Sequence, residues 1–303
     1  MIMGPRILIV GSAGQVGVEL QRSFSGVGEI FERDRDKVDI AKPEEIRAMV
    51  RELAPDIILN AAAYTAVDQA EKEQETARAI NAIAPGILAE EALRRDALLV
   101  HYSTDYVFDG SKKTPWLETD APNPLSIYGA TKLDGDRAIE AVGGKYLIFR
   151  TSWVYGPHGN NFLFTMLRLG RERDQVKIVD DQVGAPTTSC ELADATHAIV
   201  TSILSGARGA VMNWAGLYNM TCGGSISWCG FARAIYDRAN ELLNGKRPEV
   251  TPILTSEYPT AAARPRYSVL SNEKLKKQFG VRLSSWETAL DNVVAMLKNN
   301  AGR

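Results

Sequence analysis

Short apolar runs alternate with longer segments of helical periodicity along the first half of the chain. Each run carries branched or aromatic residues and ends at a turn-forming residue, as buried parallel strands do. These runs cover residues 6–10, 29–33, 56–60, 97–103 and 146–153. The segments of helical spacing between them cover residues 14–24, 43–53, 67–94 and 127–142. The alternation predicts an α/β fold with a doubly wound parallel sheet of the Rossmann type.

The regular alternation of predicted strands and helices ends near residue 153. Residues 156–161 are rich in glycine and asparagine and predict a loop, and the elements after residue 206 are shorter and mixed. A last amphipathic helix is predicted over residues 285–297. We therefore expect a first domain over residues 1–152, to which a later segment at about 187–214 returns. A smaller second domain is expected mainly from residues 153–303.

Composition and charge narrow the class of protein. The 303 residues are 45% hydrophobic, and 35 basic residues against 37 acidic ones give a net charge of −2. A chain without a positive surplus is poorly suited to binding nucleic acid or an anionic membrane surface. Three cysteines are a poor basis for a disulfide framework, and we find neither a secretory segment nor an apolar run of membrane-spanning length. These features predict a cytoplasmic protein.

A glycine motif follows the first predicted strand directly. Gly11, Gly14 and Gly17 have GxxGxxG spacing and lead into a helix. In such a turn the first glycine permits the bend, the second lets backbone amides approach a pyrophosphate, and the third lets the helix pack close to the sheet. The motif predicts a dinucleotide site that includes Gln15 and Val16, although a plain strand-to-helix turn has the same spacing.

Charged residues follow the second strand, where a dinucleotide fold contacts the adenosine ribose. A carboxylate such as Asp34 accepts hydrogen bonds from the ribose hydroxyls and favours NAD, whereas Arg33 and Arg35 favour the 2′-phosphate of NADP. The sequence therefore leaves the choice between NADH and NADPH open. The alternative is that all three are solvated turn charges.

Further positions suited to the cofactor follow the second and third strands. Asp39 and Ile40 are predicted at the edge of the adenine pocket. Ala62 and Ala63 are small enough to let a dinucleotide lie across them, and Tyr64 completes the predicted cofactor-binding set. The alanines could equally be spacers in the core.

A tyrosine and a lysine lie four residues apart on the helix predicted over residues 127–142. Because positions i and i+4 share a helix face, Tyr128 and Lys132 can point at one site. A free tyrosine has a pKa of about 10, which a neighbouring lysine charge lowers by stabilising the phenolate. Tyr128 is the predicted general acid for a carbonyl that receives hydride, and Lys132 also binds the nicotinamide ribose. The alternative is a surface pair on an amphipathic helix.

A hydroxyl completes the candidate chemistry at the end of the fourth predicted strand. Thr104 can donate to the same carbonyl oxygen and hold it for proton transfer, or it can satisfy local backbone groups. The coincidence of this hydroxyl, the phenol and the glycine motif predicts an NAD(P)-dependent oxidoreductase.

Several long strings resemble one family. The chain is similar to the dTDP-4-dehydrorhamnose reductases, which are extended short-chain dehydrogenases/reductases. The similarity lies in residues 11–17, 60–68, 101–108, 128–132, 150–155, 159–162, 181–187 and 264–265. It therefore covers nearly the whole chain.

The resemblance implies a specific reaction. Members of that family reduce the 4-keto group of dTDP-4-dehydro-L-rhamnose with NAD(P)H, giving dTDP-L-rhamnose for cell-surface polysaccharide such as O-antigen. Tyr128, Lys132 and Thr104 fall on the catalytic positions of the family. Arg264 could bind the nucleotide diphosphate through its guanidinium fork, or it could form an ordinary surface ion pair. The sugar-pocket positions implied by the resemblance are Val67, Asp68, Tyr106 and Trp153, each of which could instead be a core or rim residue. Thr104 and Asp105 complete the predicted substrate-binding set.

The resemblance also raises the question of metal and assembly. Some members are metal-bridged dimers that use carboxylates on surface helices, whereas Cys190 and Asn292 lie where we would expect such acids. A structural Mg²⁺ is therefore doubtful, no metal ligand is predicted, and a homodimer is left open. The three histidines, His101, His158 and His197, lack ligand spacing and are expected to have packing or surface roles.

Two alternative functions are left open by the sequence. The first is a sugar-nucleotide dehydratase or epimerase of the same fold. Dehydratases resemble one another in an Asp-Glu pair after the active-site threonine, whereas here Asp105 is followed by Tyr106. The second is a non-catalytic regulatory subunit, since the β subunit of methionine adenosyltransferase resembles the same family.

Overall fold

The computed structural model describes residues 4–301, and strands and helices alternate through the first half of this range. The strands are β1 (Arg6–Val10), β2 (Glu29–Arg33), β3 (Ile57–Asn60), β4 (Leu98–Thr104), β5 (Tyr146–Thr151), β6 (Val154–Tyr155), β7 (Gln175–Val179), β8 (Val183–Gly184), β9 (Thr187–Thr188), β10 (Gly216–Asn219), β11 (Ile226–Ser227) and β12 (Glu249–Ile253). The α-helices are α1 (Gln15–Phe24), α2 (Pro43–Leu53), α3 (Val67–Ala70), α4 (Gln74–Arg78), α5 (Ala84–Arg94), α6 (Ile127–Val142), α7 (Phe162–Glu172), α8 (Ser189–Leu204), α9 (Trp228–Arg238), α10 (Glu273–Phe279) and α11 (Trp286–Ala301).

The central sheet has the strand order β2, β1, β3, β4, β5, β10, and all of its pairings are parallel. The chain passes from β1 outward to β2 and then back across to β3, so the direction of winding reverses between β1 and β3. A crevice for ligands forms outside the carboxyl ends of the strands at such a reversal. The doubly wound α/β fold predicted from the apolar runs is confirmed.

The core lies on both faces of this sheet. Ile7 and Ile9 of β1 pack in the layer that contains α1 and α8, whereas Leu8 and Val10 pack in the layer that contains α2 and α5. Successive side chains of a strand point to opposite faces, so a strand covered on both faces must be apolar throughout. This is why β1 and β3 read as continuous apolar runs.

The segment predicted as one helix over residues 67–94 is divided in the structure. α3 ends at Ala70, and a π-helical turn, Ala79–Ile83, joins α4 to α5. Pro85 accounts for the π turn, because proline has no N–H to donate to the carbonyl four residues earlier. The side chain of Asn81, within the turn, accepts a 2.8 Å hydrogen bond from the Tyr64 N–H. The interruption therefore ties this segment to the loop after β3.

The strand predicted over residues 146–153 also ends early, at Thr151. Trp153 has a φ of +47°, a left-handed conformation that breaks the extended run before β6 begins. Farther on, α8 packs on α1 through the rings of Phe24 and His197, whose centroids are 5.3 Å apart, and β10 joins the sheet beside β5. The domain boundary at residue 152 stays a prediction. Of the helices between residues 4 and 301, none has the length and apolar character needed to cross a membrane.

Candidate active site

A cleft of about 980 Å³ opens at the carboxyl ends of the central strands. It is lined by the glycine turn after β1, by the loops after β2 and β3, by the ends of β4 and β5, and by α6. The predicted cofactor residues that line it are Gly11, Gly14, Gln15, Val16, Asp34, Asp39, Ile40, Ala62, Ala63, Tyr64, Tyr128 and Lys132.

The glycine turn is shaped by two close approaches. Gly11 has a φ of +78°, and a Cβ added to Gly17 would lie 2.1 Å from the carbonyl oxygen of Gly11. Gly17 therefore does not line the cleft but lets α1 pack directly behind the turn. Gly14 precedes α1 without a side-chain cap, so the first N–H groups of that helix face the cleft and can bind an anion.

The carboxylate of Asp34 is fixed at the edge of the cleft. One of its oxygens accepts a 2.8 Å hydrogen bond from the Ala13 N–H, and the other accepts a 2.6 Å bond from the Arg35 N–H. Arg33 and Arg35 line the same cleft. The carboxylate that favours NAD and the two arginines that favour NADP thus line the same edge of the cleft.

One buried hydroxyl of the cleft has no hydrogen-bond partner among the described residues. Thr151 Oγ1 lies on the cleft wall and, among the described residues, makes no hydrogen bond. A buried polar atom without a partner is destabilising, which favours a ligand that can bond to it. The glycine turn, the small alanines and this hydroxyl together fit a nicotinamide dinucleotide.

The start of α6 sets the position of the phenol and the amine. The Ser126 hydroxyl caps the helix by accepting a 3.2 Å bond from the Gly129 N–H, which places Tyr128 in the first turn and Lys132 one turn later. Burial raises the pKa of Tyr128 to about 12, although a hydrogen bond with Thr104 opposes this. This direction is opposite to the lowering predicted from Lys132, because desolvation of the phenolate is the largest cause of the shift.

The amine of Lys132 is directed to β4. Its Nζ donates a 2.6 Å hydrogen bond to the Tyr102 carbonyl oxygen and lies 3.1 Å from His101 Nε2. Burial lowers the pKa of this amine to about 8, against the charge of Asp136, which raises it. The lysine is thus closer to neutrality than an exposed lysine would be.

Thr104 and Asp105 form a bonded unit beside Tyr128. Thr104 Oγ1 accepts a 3.2 Å bond from the Tyr106 N–H and donates a 3.2 Å bond to Asp105. Asp105 also accepts a 2.8 Å bond from the Ser152 hydroxyl. Burial raises the pKa of Asp105 to about 6, and the hydrogen bonds it accepts oppose that shift. Thr104 is therefore held in one orientation by its neighbours.

Three of the predicted substrate residues meet although they are distant in sequence. Arg264 forms a two-point ion pair with Asp68, at 2.7 and 3.2 Å, and its guanidinium also lies beside Tyr106. The Arg264 hydrogen bond holds the pKa of Asp68 below its usual value. The ring of Tyr106 packs edge-on against Tyr128, with centroids 5.6 Å apart. Arg264 is thus linked to the candidate proton donor through one tyrosine.

The remaining two predicted substrate residues lie outside the cofactor cleft. Trp153 stacks on Trp228, with ring centroids 3.5 Å apart and planes within 6°, so one face of its indole is covered. Val67 is the first residue of α3 and is half-buried. Their contact with a sugar ring stays a prediction.

A second cavity of about 480 Å³ adjoins Arg264. It combines aromatic rings with positive charge, a mixture suited to a planar base and a diphosphate. Its aromatic and basic lining residues are Phe162, Trp228, Tyr258, Arg168, Arg173, Lys177 and Arg264. Sequence reasoning found only Arg264, because the others come from α7, β7, α9 and a late loop and share no motif.

The residues at the expected metal positions do not fit Mg²⁺. Burial raises the pKa of Cys190 to about 12, so it is a neutral thiol, and Asn292 is a neutral amide on the exposed side of α11. Mg²⁺ prefers carboxylate oxygens. Between residues 4 and 301 no group of three or more His, Cys, Asp or Glu side chains could hold an ion.

The parallel sheet, the glycine turn and the Tyr128–Lys132 pair define a dinucleotide-dependent oxidoreductase of the short-chain dehydrogenase/reductase class. A family model described as the RmlD substrate binding domain matches residues 5–299. The chain is 47% identical over 290 residues to the dTDP-4-dehydrorhamnose reductase of Burkholderia thailandensis, a match that covers 94% of this chain and 96% of that protein. The chain belongs to the dTDP-4-dehydrorhamnose reductase family.

Two further comparisons agree with this membership. The dTDP-4-dehydrorhamnose reductase of Salmonella typhimurium is 43% identical over 294 residues, which cover 95% of this chain and 96% of that one. The crystal structure of the Bacillus anthracis dTDP-4-dehydrorhamnose reductase in complex with NADP superimposes with a TM-score of 0.88 at 37% identity, over 97% of this chain and 100% of that one. The family predicted from the sequence strings is therefore confirmed.

Proposed function

We propose that this chain reduces the 4-keto group of dTDP-4-dehydro-L-rhamnose with NAD(P)H and releases dTDP-L-rhamnose, a precursor of cell-surface polysaccharide. The observation that carries the proposal is that the Tyr128 phenol and Lys132 line one dinucleotide-sized cleft, with the Thr104 side chain next to the phenol. The names of its 47% and 43% identical relatives support the same reaction.

Tyr128 is the proton donor in this reaction. Bound NAD(P)H supplies the hydride, and the protein supplies the proton. Because burial raises the pKa of Tyr128 to about 12, the phenol keeps its proton at neutral pH. It releases that proton as negative charge develops on the substrate oxygen, which is general-acid catalysis. Lys132 lines the same cleft and is the residue proposed to contact the nicotinamide ribose.

Thr104 orients the phenol. Its proton is engaged with Asp105 and one of its acceptor positions with the Tyr106 N–H, which leaves an acceptor position for the hydroxyl of Tyr128. The phenol donates to Thr104 until the substrate oxygen replaces Thr104 as the acceptor of the Tyr128 proton. Direct donation from Thr104 to the substrate carbonyl, as the sequence predicts, requires the bond to Asp105 to break.

The second cavity is the proposed site of the nucleotide end of the substrate. Arg264, Arg168 and Lys177 offer positive charge for the diphosphate, and the exposed parts of Phe162 and Trp228, whose rings pack on each other, offer apolar surface for the base. The contacts of Arg264 with Tyr106, and of Tyr106 with Tyr128, place this cavity next to the proton donor. The sugar of the substrate would then lie between the second cavity and Tyr128.

Reduction is favoured over the alternatives by one local feature. Elimination of water needs a second carboxylate after the active-site threonine, and here that position holds Tyr106, whose ring packs on Tyr128. A non-catalytic regulatory subunit does not require the Tyr128 phenol and the Thr104 hydroxyl to lie next to each other.

The test is a spectrophotometric assay of the purified chain. Absorbance of the reduced nicotinamide is followed after dTDP-4-dehydro-L-rhamnose is added with NADPH and, separately, with NADH. We expect oxidation of the cofactor with the keto sugar and none with dTDP-L-rhamnose. Failure to oxidise either cofactor, together with binding to a methionine adenosyltransferase, would favour the regulatory function.

The proposed setting is the cytoplasm, where sugar nucleotides and reduced cofactors are available. All three cysteines are free and buried, which supports a reducing compartment. A homodimer stays a prediction, and sedimentation at several protein concentrations would test it.

A further inference from the structure

A chain of three buried polar side chains runs from the cofactor cleft into the sheet. Asn60 ends β3, His101 lies on β4 and Lys132 lies on α6, and their exposed fractions are 2%, 0% and 2%. His101 Nε2 is 3.1 Å from Lys132 Nζ, and His101 Nδ1 is 3.0 Å from Asn60 Nδ2. The function proposed above leaves His101 and Asn60 without a role.

The amide of Asn60 determines which nitrogen of His101 carries the proton. Asn60 Oδ1 accepts a 3.3 Å bond from the Ala62 N–H, so the amide nitrogen faces the ring and donates to His101 Nδ1. A neutral imidazole that accepts at Nδ1 carries its hydrogen on Nε2. Burial and the charge of Lys132 hold the pKa of His101 well below its usual range, so the ring is neutral. Its Nε2–H therefore points at the lysine amine.

The charges around the amine agree with this assignment. The titratable and charged groups that act on it are Asp136 on α6 and His101 on β4. Asp136 pairs with Arg150 through Oδ2, at 3.1 Å, and its Oδ1 makes no hydrogen bond among the described residues. The Lys132 amine thus contacts the His101 ring and the Tyr102 carbonyl rather than hydrogen-bonding a carboxylate.

We propose that His101 is a positioning residue for Lys132: its ring, held by Asn60, donates Nε2–H to the Nζ amine and, with the Tyr102 carbonyl, fixes the direction of that amine in the cleft. A ring N–H that faces the amine favours the neutral amine over the ammonium. The rate measurements below rest on the proposed reduction, whereas the first experiment does not.

The first experiment reads the tautomer of His101 directly in the unmodified protein. Nitrogen NMR of the chain labelled with ¹⁵N-histidine distinguishes a protonated from an unprotonated ring nitrogen, and H101Q assigns the signal among the three histidines. We expect an unprotonated Nδ1 and a protonated Nε2. A proton on Nδ1 would overturn the proposal, whether or not the chain turns over substrate.

The second experiment measures turnover and its pH dependence in variants of His101. H101L removes both ring nitrogens, and we expect kcat/KM to fall roughly 10- to 100-fold, mostly in kcat, because the amine is misplaced. H101Q can turn its amide toward Nζ and should restore most of the rate. T196V is the packing control, since it removes a buried hydroxyl that bonds only to Tyr102 Oη and the Leu192 carbonyl.

The pH profile separates positioning from packing. The ionisation of Lys132, whose pKa is about 8, appears as one limb of the profile, and only the neutral amine can accept the Nε2–H bond. In H101Q the amide oxygen can accept from the ammonium, so we expect this limb to move up by roughly 0.5 to 1 pH unit, the equivalent of one ordinary hydrogen bond. An unmoved limb in H101Q, or a rate loss in H101L no larger than in T196V, would overturn the proposal.

The two proposals fail in different ways. A wild-type chain that oxidises no cofactor with the keto sugar contradicts the proposed reduction but leaves the tautomer measurement intact. A wild-type chain that turns over normally but carries its His101 proton on Nδ1 contradicts the role of His101 alone.

Discussion

The cofactor cleft and the second cavity of this protein are built in different ways. One wall of the cleft is formed by the glycines and alanines of the turns after β1 and β3, so this wall is continuous with the core of the sheet. The second cavity is formed by long side chains, such as Arg168 and Trp228, from elements far apart in sequence. Substitutions in a wall built from tightly packed backbone disturb the fold, whereas substitutions of the long side chains that line the second cavity leave the fold intact.

The two regions meet at a short chain of contacts. Arg264 belongs to the second cavity and contacts Tyr106, and Tyr106 packs on Tyr128 of the cleft. Substitutions in the glycine turn of the cleft should therefore lower cofactor affinity and stability together, and those in the second cavity should lower affinity for the sugar nucleotide alone. Substitutions at the junction, formed by Tyr106 and Tyr128, should lower the rate of the chemical step.

The largest effect is expected at the junction. Y128F removes the proton donor while keeping the ring, so turnover should fall roughly 10²- to 10⁴-fold, the usual contribution of a positioned general acid. Single-turnover rates and the Kd for NADPH would be measured together, and the Kd should stay nearly constant. A variant within a factor of two of the wild-type rate would refute the role of Tyr128.

A substitution in the glycine turn should show that the cleft is part of the core. In G17V the added side chain collides with the Gly11 carbonyl, 2.1 Å from the ideal Cβ position, so α1 must move away from the turn. We expect unfolding free energy to fall by roughly 1–3 kcal/mol and cofactor affinity to fall with it. Denaturant unfolding and cofactor titration measure both.

The matched control for this variant is G223A in the second half of the chain. A Cβ at Gly223 would come no closer than 3.7 Å to other atoms, so its stability should stay near that of the wild type. If G17V lost cofactor affinity without losing stability, the turn and the core would be separable after all.

A substitution in the second cavity should affect the substrate only. R264L removes the guanidinium that faces both the cavity and Tyr106, and we expect KM for the sugar nucleotide to rise by about 10-fold while the Kd for the cofactor is unchanged. R282L, which removes an exposed arginine paired with Glu273, is the control. A parallel loss of cofactor affinity in R264L would contradict the division of the site.

The smallest effect is expected at the edge of the cleft. D34A removes a carboxylate that would repel a 2′-phosphate, so the ratio of NADPH to NADH affinity should rise by roughly 3- to 10-fold. Titrations with each cofactor measure this ratio, and D36A, on the same exposed turn, should leave it unchanged. An unchanged ratio in D34A would show that Arg33 and Arg35 alone set the preference.

Local patterns were sufficient for the parts of the site built from consecutive residues. The strand β1, the glycine turn and the spacing of Tyr128 and Lys132 follow from apolar runs and helical periodicity, because each depends on neighbours within a few positions. The helix predicted over residues 67–94 is broken at residues 71–73, which form a turn between α3 and α4, whereas the chain stays helical through Pro85.

The amino-acid sequence by itself determined the fold class and the family, and it led to Tyr128 as the proposed proton donor. The alternation of strands and helices, the glycine motif and the phenol–lysine spacing each lie within short segments. Only the tertiary structure decided where the Lys132 amine points, how burial shifts its pKa and that of Tyr128, and which side chains line the second cavity. Burial and desolvation depend on residues that folding brings together from distant segments, and no local pattern encodes that proximity.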